Sequence, residues 1–160
     1  MARNPRPFLG LFAGIAAGLV ASAAMAVFQD QAAKLLPEEG DDEDPATVQA
    51  ADAVSEAVTG DPVPEPYREQ AGKAVHYIVG GVLGGIYGVL AEYRPEARSG
   101  FGTTYGIATA ALLDEAVIPA ADLGPAPDEA PLATQAYGVA SHLLYGWVLE
   151  GVRALLAGKR

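Results

Sequence analysis

Four stretches of this chain are almost free of charge, and polar, proline-containing segments separate them. Residues 8–29 run for 22 positions without an ionisable group, behind Arg3 and Arg6. Between His76 and Glu92 lie fifteen more uncharged positions, five of them glycine, and the apolar character reaches back to Ala74 and on to Tyr93. Residues 99–118 and 132–153 form a third and a fourth apolar run, the third interrupted by Asp114 and Glu115. A run of about 20 apolar residues is about 30 Å long as a helix, which matches the hydrocarbon thickness of a bilayer. The pattern predicts an all-α protein: a bundle of four transmembrane helices at about 8–29, 66–93, 99–118 and 132–153, forming one membrane domain over residues 1–160.

Small residues recur every four positions in three of these runs. They are Gly10, Gly14 and Gly18 in the first, Gly80, Gly84 and Gly88 in the second, and Gly102, Gly106 and Ala110 in the third. In a helix exposed to water each glycine costs about 1 kcal/mol relative to alanine. In lipid the same spacing lets two helices approach closely, so these residues are the expected packing faces. The first run has a rival reading as a secretory signal peptide, because Ala24-Met25-Ala26 resembles a cleavage site behind a basic start and an apolar stretch. Its length and its glycine spacing favour a retained helix.

The segment 30–65 is polar, acidic and rich in proline, and is expected as a loop outside the lipid. Within it Asp44-Pro45 offers an N-cap and a first-turn proline, and Val48, Ala51, Val54 and Val58 follow at helical spacing until Thr59-Gly60. This predicts one short amphipathic helix along the membrane surface or over the bundle. The acidic tract 38–44 lacks the alternating ligand spacing of a calcium loop, so it reads as a solvated loop.

Charge adds an orientation. Twelve of the 20 acidic residues fall in 30–69, opposed only by Lys34 and Arg68, and this segment accounts for the whole net charge of −10. Arg3, Arg6, Arg94, Arg98, Arg153, Lys159 and Arg160 all fall on the other side of a four-span arrangement. Basic loops stay inside, which predicts a multi-pass protein of the cytoplasmic membrane with both termini cytoplasmic. There is no basic groove for nucleic acid. There is no cysteine, so thiolate metal sites, disulfides and cysteine nucleophiles are excluded.

Two internal matches suggest a duplicated two-helix hairpin. Residues 87–92 (YGVLAE) parallel 145–150 (YGWVLE), and Gly14-Ile15-Ala16 parallels Gly106-Ile107-Ala108. A further match, 32–37 with 120–125, is offset by one helical turn. From His76 onward the chain also resembles the YagU-type bacterial inner-membrane proteins. The resemblance rests on His76, Tyr87 and Ala91-Glu92, on Pro119 with the Leu123-Gly124-Pro125-Ala126-Pro127 loop, and on Ser141-His142-Leu143 followed by Glu150 and Arg153. It covers roughly 85 residues, and departs from the family at Asp114, where a histidine is usual. It implies an integral inner-membrane protein whose molecular activity the family does not settle.

Ionisable residues inside a span are costly, about 2.5 to 3.5 kcal/mol each at mid-helix, and each is a candidate site. Counting along the helices places His76 about 12 Å and Asp114 about 9 Å toward the outside, with Glu115 beside it and His142 near mid-membrane. With Tyr87, Tyr145 and Ser141 these could form a proton-handling cluster, hold a divalent metal, or simply fix helix register by hydrogen bonds. No metal site or cofactor is singled out. Glu92 and Glu150, about 12 Å toward the cytoplasm, are expected to make structural ion pairs with Arg94, Arg98 and Arg153 or to reach water. No phosphate loop, dinucleotide fingerprint, zinc-protease motif or nucleophile elbow occurs, so no residue is a catalytic candidate and an enzyme is not expected. The expected activity is that of a structural or stress-related membrane component, with a proton-linked or pH-responsive protein as the alternative. Its expected partners are the lipid bilayer and either a second copy or another membrane protein.

Overall fold

The computed structural model describes residues 4–34, 44–124 and 131–158, and among these the chain is all-helical. Helix α1 spans Pro7–Ala33, α2 Ala46–Thr59, α3 Arg68–Tyr93, α4 Thr103–Leu112, α5 Ile118–Ala120 and α6 Leu132–Ala157. Two helical stretches, Pro7–Ala33 and Glu65–Tyr93, are long and apolar enough to cross a membrane. Most of the acidic tract, the 32–37 and 120–125 match beyond Lys34 and Gly124, and the terminal Lys159 and Arg160 lie outside the described residues.

Local chemistry sets the helix ends. Pro7 opens α1, where its fixed φ suits a first turn and its missing N–H is not needed. Gly60 closes α2 in the left-handed conformation with φ 89°. At the other end of α2 the N-cap is Pro45, with no side-chain cap, and not the expected Asp44. The Asp44 carboxylate is bound 2.6 Å away by Arg68. Helix α3 ends at Tyr93 because Arg94 precedes a proline, which pushes it out of the helical region.

The third apolar run departs from its expected form. It does not start at 99: Gly100, Phe101 and Gly102 all have positive φ (64°, 56° and 85°), and regular helix begins only at Thr103. At its other end the helical stretch stops at Ala120, one residue past Pro119, but it is not regular α-helix up to that point. Residues Leu113–Val117 form a π-helical turn that runs into α5. Proline offers no N–H to the carbonyl four residues back and its ring crowds that carbonyl. The chain widens ahead of it, so the Ile118 N–H bonds to the Leu113 carbonyl, five residues back.

Helix α1 packs along both α3 and α6, α4 packs on α6, and α2 packs on α3. The core is Ala17, Ala21 and Met25 of α1 with Tyr87, Tyr145 and Leu149. Tyrosine hydroxyls that would be stranded in such a core are satisfied: Tyr145 donates to the Gly80 carbonyl (2.6 Å) and Tyr105 to the Leu83 carbonyl (2.7 Å). Helices α3 and α4 meet through the Tyr87 and Tyr105 rings, whose centroids are 4.6 Å apart.

The polarity of the bundle is inverted relative to a water-soluble one. Apart from Met25, Leu149 and the tyrosines of the core, interior positions are held by glycine, alanine, serine and charged or polar groups, while Phe12, Ile78, Leu112 and Leu155 are exposed, the last by 83%. Large exposed apolar side chains occur on α1, α3, α4 and α6 alike. In water such a surface is an aggregation hazard.

Candidate functional site

The glycine stripes are paired with one another. A β-carbon on Gly10 would strike the Gly88 carbonyl oxygen, one on Gly14 the Gly84 carbonyl oxygen, and one on Gly18 the Gly80 carbonyl oxygen. The α1–α3 pair is therefore an antiparallel zipper of six glycines, with backbone on backbone. In the α4–α6 pair Gly102 meets the Gly146 carbonyl oxygen and Gly106 the His142 carbonyl oxygen. The alignment of Gly14 with Gly106 and of Gly88 with Gly146 carries the Gly10–Gly88 contact onto Gly102–Gly146. It also carries Gly14–Gly84 onto Gly106–His142. Two matches found separately in sequence thus superpose one interhelical register on the other, as a duplicated hairpin requires.

The α1–α3 register continues into polar residues at both ends of the zipper. One turn beyond Gly18, the Ser22 carbonyl oxygen is 3.1 Å from His76 Nε2. A carbonyl only accepts, so this ring carries its proton on Nε2. One turn before Gly10, the backbone N–H of Arg6 donates to Glu92 Oε2 at 2.8 Å.

The expected four-residue outer cluster is only partly assembled. Asp114 Oδ2 lies 3.5 Å from His142 Nδ1, which is also 3.2 Å from the Gly138 carbonyl oxygen of its own helix. Gly138 makes this contact possible, because a β-carbon there would stand 2.9 Å from the Asp114 carboxylate. His142 is 7% exposed and Asp114 half-buried. Glu115, by contrast, is exposed on the outer surface and does not join the cluster: neighbours on a helix point about 100° apart, so both carboxylates cannot face one interior. Tyr145 and Tyr87 also point elsewhere, to Gly80 and to Glu150. Ser141 is fully buried and its hydroxyl has no hydrogen-bond partner among the described residues. No group of three or more His, Asp or Glu side chains suited to a metal ion occurs among the described residues.

The other polar group sits at the end of the bundle that holds Arg6. Arg153 donates to Glu150 through Nε (2.7 Å) and Nη2 (3.0 Å), and the Tyr87 hydroxyl donates to the same carboxylate at 2.8 Å. Of the two outcomes expected for Glu150, an ion pair with an arginine or contact with water, the structure shows the ion pair, and at 2% exposure for Arg153 and 6% for Glu150 it is buried. A buried ion pair is tolerated where its geometry is good and the remaining lone pairs are occupied, and the tyrosine supplies that third contact. Arg94 is exposed and Arg98 half-buried. Sequence reasoning missed Arg6, whose guanidinium donates to the Ala157 carbonyl at 2.9 Å and so covers the end of α6. It also missed Gly138 and Ser22. Both were findable, Ser22 as the next member of the Gly10, Gly14, Gly18 series, and Gly138 as the partner of Gly80 under the duplication.

These features define a chain that is all-helical among the described residues, with two membrane-competent helices and buried polar groups of which most are hydrogen-bonded. Among the described residues, two apolar grooves lie on the outer surface, one lined by Phe101 and Leu155 and the other by Ile15 and Ile78. No protein-family model matches the chain, and it has no match among curated proteins or solved structures.

Proposed function

We propose that this chain is a multi-pass protein of the cytoplasmic membrane with four transmembrane helices, both termini cytoplasmic, and a structural role rather than a transport or catalytic one. Kinship with the YagU-type proteins is part of the same proposal. The observation that carries it is the distribution of polarity: an interior rich in glycine, alanine and mostly hydrogen-bonded polar groups around a small core, with most large apolar side chains outside on all four long or composite helices. Exposed Phe8, Phe12, Tyr93, Phe101 and Trp147 support the placement. They cluster in the residues next to the Arg6, Arg94 and Arg98 end, as an interfacial belt on the basic side of a membrane would. Because the glycines are used within the chain, association with a second copy or a membrane partner falls to the outer apolar faces. Cysteine placed at Ser55 and at Arg98 tests the topology. Ser55 is expected to label from outside and Arg98 only after permeabilisation, and labelling of both from one side rejects the four-span reading.

The contact between His142 and Asp114 favours a second reading, a proton-linked or pH-responsive protein. Flux in proteoliposomes separates the two. Under the structural reading His142→Gln is stable, His142→Leu is destabilised because Asp114 loses its partner, and neither the variants nor the unmodified protein exceeds empty liposomes. Flux that is present in the unmodified protein and lost in His142→Gln establishes the second reading instead.

A further inference from the structure

At the Arg6 end of the bundle, where α4 begins beside the last turns of α6, the surface is hollowed into an open groove. Phe101, Val148, Gly151, Val152, Ala154 and Leu155 line it, and its walls are almost wholly apolar. Three features set it apart from the rest of the outer surface. Phe101 is held in the left-handed backbone region at φ 56°, which a phenylalanine rarely adopts, and this turn seats its ring above Gly151. A β-carbon on Gly151 would stand 3.6 Å from Phe101 Cζ, so the glycine keeps the floor of the groove low. Trp147 is 45% exposed and is fixed by its indole N–H, which donates to Thr103 Oγ1 at 2.8 Å.

The connection that leads into the groove at Phe101 also carries positive charge. The connection leading to Phe101 is coiled tightly, Ala97 N–H bonding the Arg94 carbonyl (3.0 Å) and Phe101 N–H the Arg98 carbonyl (3.1 Å). It carries Arg94 and Arg98 against a single acid, Glu96, and Arg94 is exposed. An apolar trough of about 420 Å³, next in the chain to an indole at Trp147 and reached through a connection with an exposed arginine, matches the two halves of an anionic phospholipid.

We propose that this groove is a binding site for an anionic phospholipid of the adjoining leaflet, its acyl chain lying on Gly151 between Phe101 and Leu155 and its phosphate meeting Arg94. The proposal rests on the four-span reading above. One exposed arginine at an anionic surface is worth about 1 kcal/mol, which is roughly a fivefold preference for the charged headgroup. The protein is purified from membranes in nanodiscs of phosphatidylcholine doped with phosphatidylglycerol, and the lipid it retains is measured by native mass spectrometry. Retention of phosphatidylglycerol over phosphatidylcholine by several-fold is expected. Arg94→Gln, an exposed and foldable change, is expected to erase the preference while lipid is still retained. Gly151→Leu, which fills the trough, is expected to lower retention of both lipids. Equal retention of the two lipids, an undiminished preference in Arg94→Gln, or full displacement by inorganic phosphate overturns the proposal. Carbonate extraction keeps the two readings apart: release of the chain from membranes rejects the membrane placement itself. A chain that resists carbonate but shows no headgroup preference rejects the lipid site alone.

Discussion

A single methyl group separates the two kinds of glycine in α3. Gly84 has no room for one, because an added β-carbon would meet the Gly14 carbonyl oxygen and come within 2.7 Å of the Gly18 α-carbon, both backbone atoms of α1. Gly81, three residues earlier, would meet only side chains at ordinary contact distance, Leu19 at 3.4 Å and Ile15 at 4.0 Å. Gly84→Ala is therefore expected to push α1 off α3 and cost roughly 1–3 kcal/mol, the usual penalty for overpacking. Gly81→Ala is expected to be neutral or slightly stabilising. Thermal unfolding in one detergent checks both, and an equal loss at the two positions would contradict the zipper. The same scale of reasoning applies to Arg153. Replacing it by Met leaves Glu150 buried with only the Tyr87 hydroxyl, and a stranded buried charge costs about 3–5 kcal/mol.

At the scale of an element, α2 shows how a sequence pattern can be right about a helix and incomplete about its faces. Val48 and Ala51 are buried, Val48 packing against Gly72 of α3, whereas Val54 and Val58 are exposed, by 63% and 79%. The helix is held by ionic contacts: Arg68 reaches Asp52 at 2.5 Å and Asp44 at 2.6 Å, and the Val63 N–H donates to Asp52 at 3.0 Å. The Arg68 hydrogen bond, joined by that of Val63, holds the Asp52 carboxyl below its ordinary 3.8 against a smaller opposing effect of burial. A carboxyl with a lowered folded pKa stabilises the fold above its unfolded value and gives that stability up as pH falls through the folded one. The attachment of α2 should thus be constant from neutral pH down to about 5 and weaken only below 3.8. Hydrogen exchange of α2 amides against pH measures this. In Arg68→Gln those amides are expected to exchange faster already at neutral pH, with little further change in acid.

Over the whole molecule, α1 is the common neighbour. It supplies three of the six core residues, Ala17, Ala21 and Met25, and half of the glycine zipper, and it touches both α3 and α6. Its loss would bare the Gly80, Gly84 and Gly88 face of α3 and take Ala17, Ala21 and Met25 from the core around Tyr145 and Leu149. A chain starting at residue 44 is expected to lose cooperative thermal unfolding and to become protease-sensitive throughout α3 and α6. Retention of a protected α3–α6 core would show that the hairpins hold together by the tyrosine contacts alone.

The helical character, the boundaries of α1, α3 and α6 to within about a turn, and the positions of the glycines that later meet were legible in the sequence. They depend on local quantities: runs of apolar residues long enough to count, four-residue spacing that stays on one helix face, and proline or glycine at the ends. The left-handed start of α4 and its π-helical turn before Pro119 were not legible, since a proline predicts disruption but not whether neighbouring helices will carry the chain through it. Nor could spacing decide which polar groups meet. Glu115 and Asp114 are adjacent in sequence, yet only Asp114 finds a slot, because Gly138 on another helix lacks a side chain. Glu150 and Arg153 form an ion pair, one of the two outcomes expected of them, but spacing could not tell that the pair would be buried beneath the Tyr87 hydroxyl rather than open to water. Those outcomes were set by side chains from separate helices competing for the same interior volume, a quantity that exists only once the helices have packed.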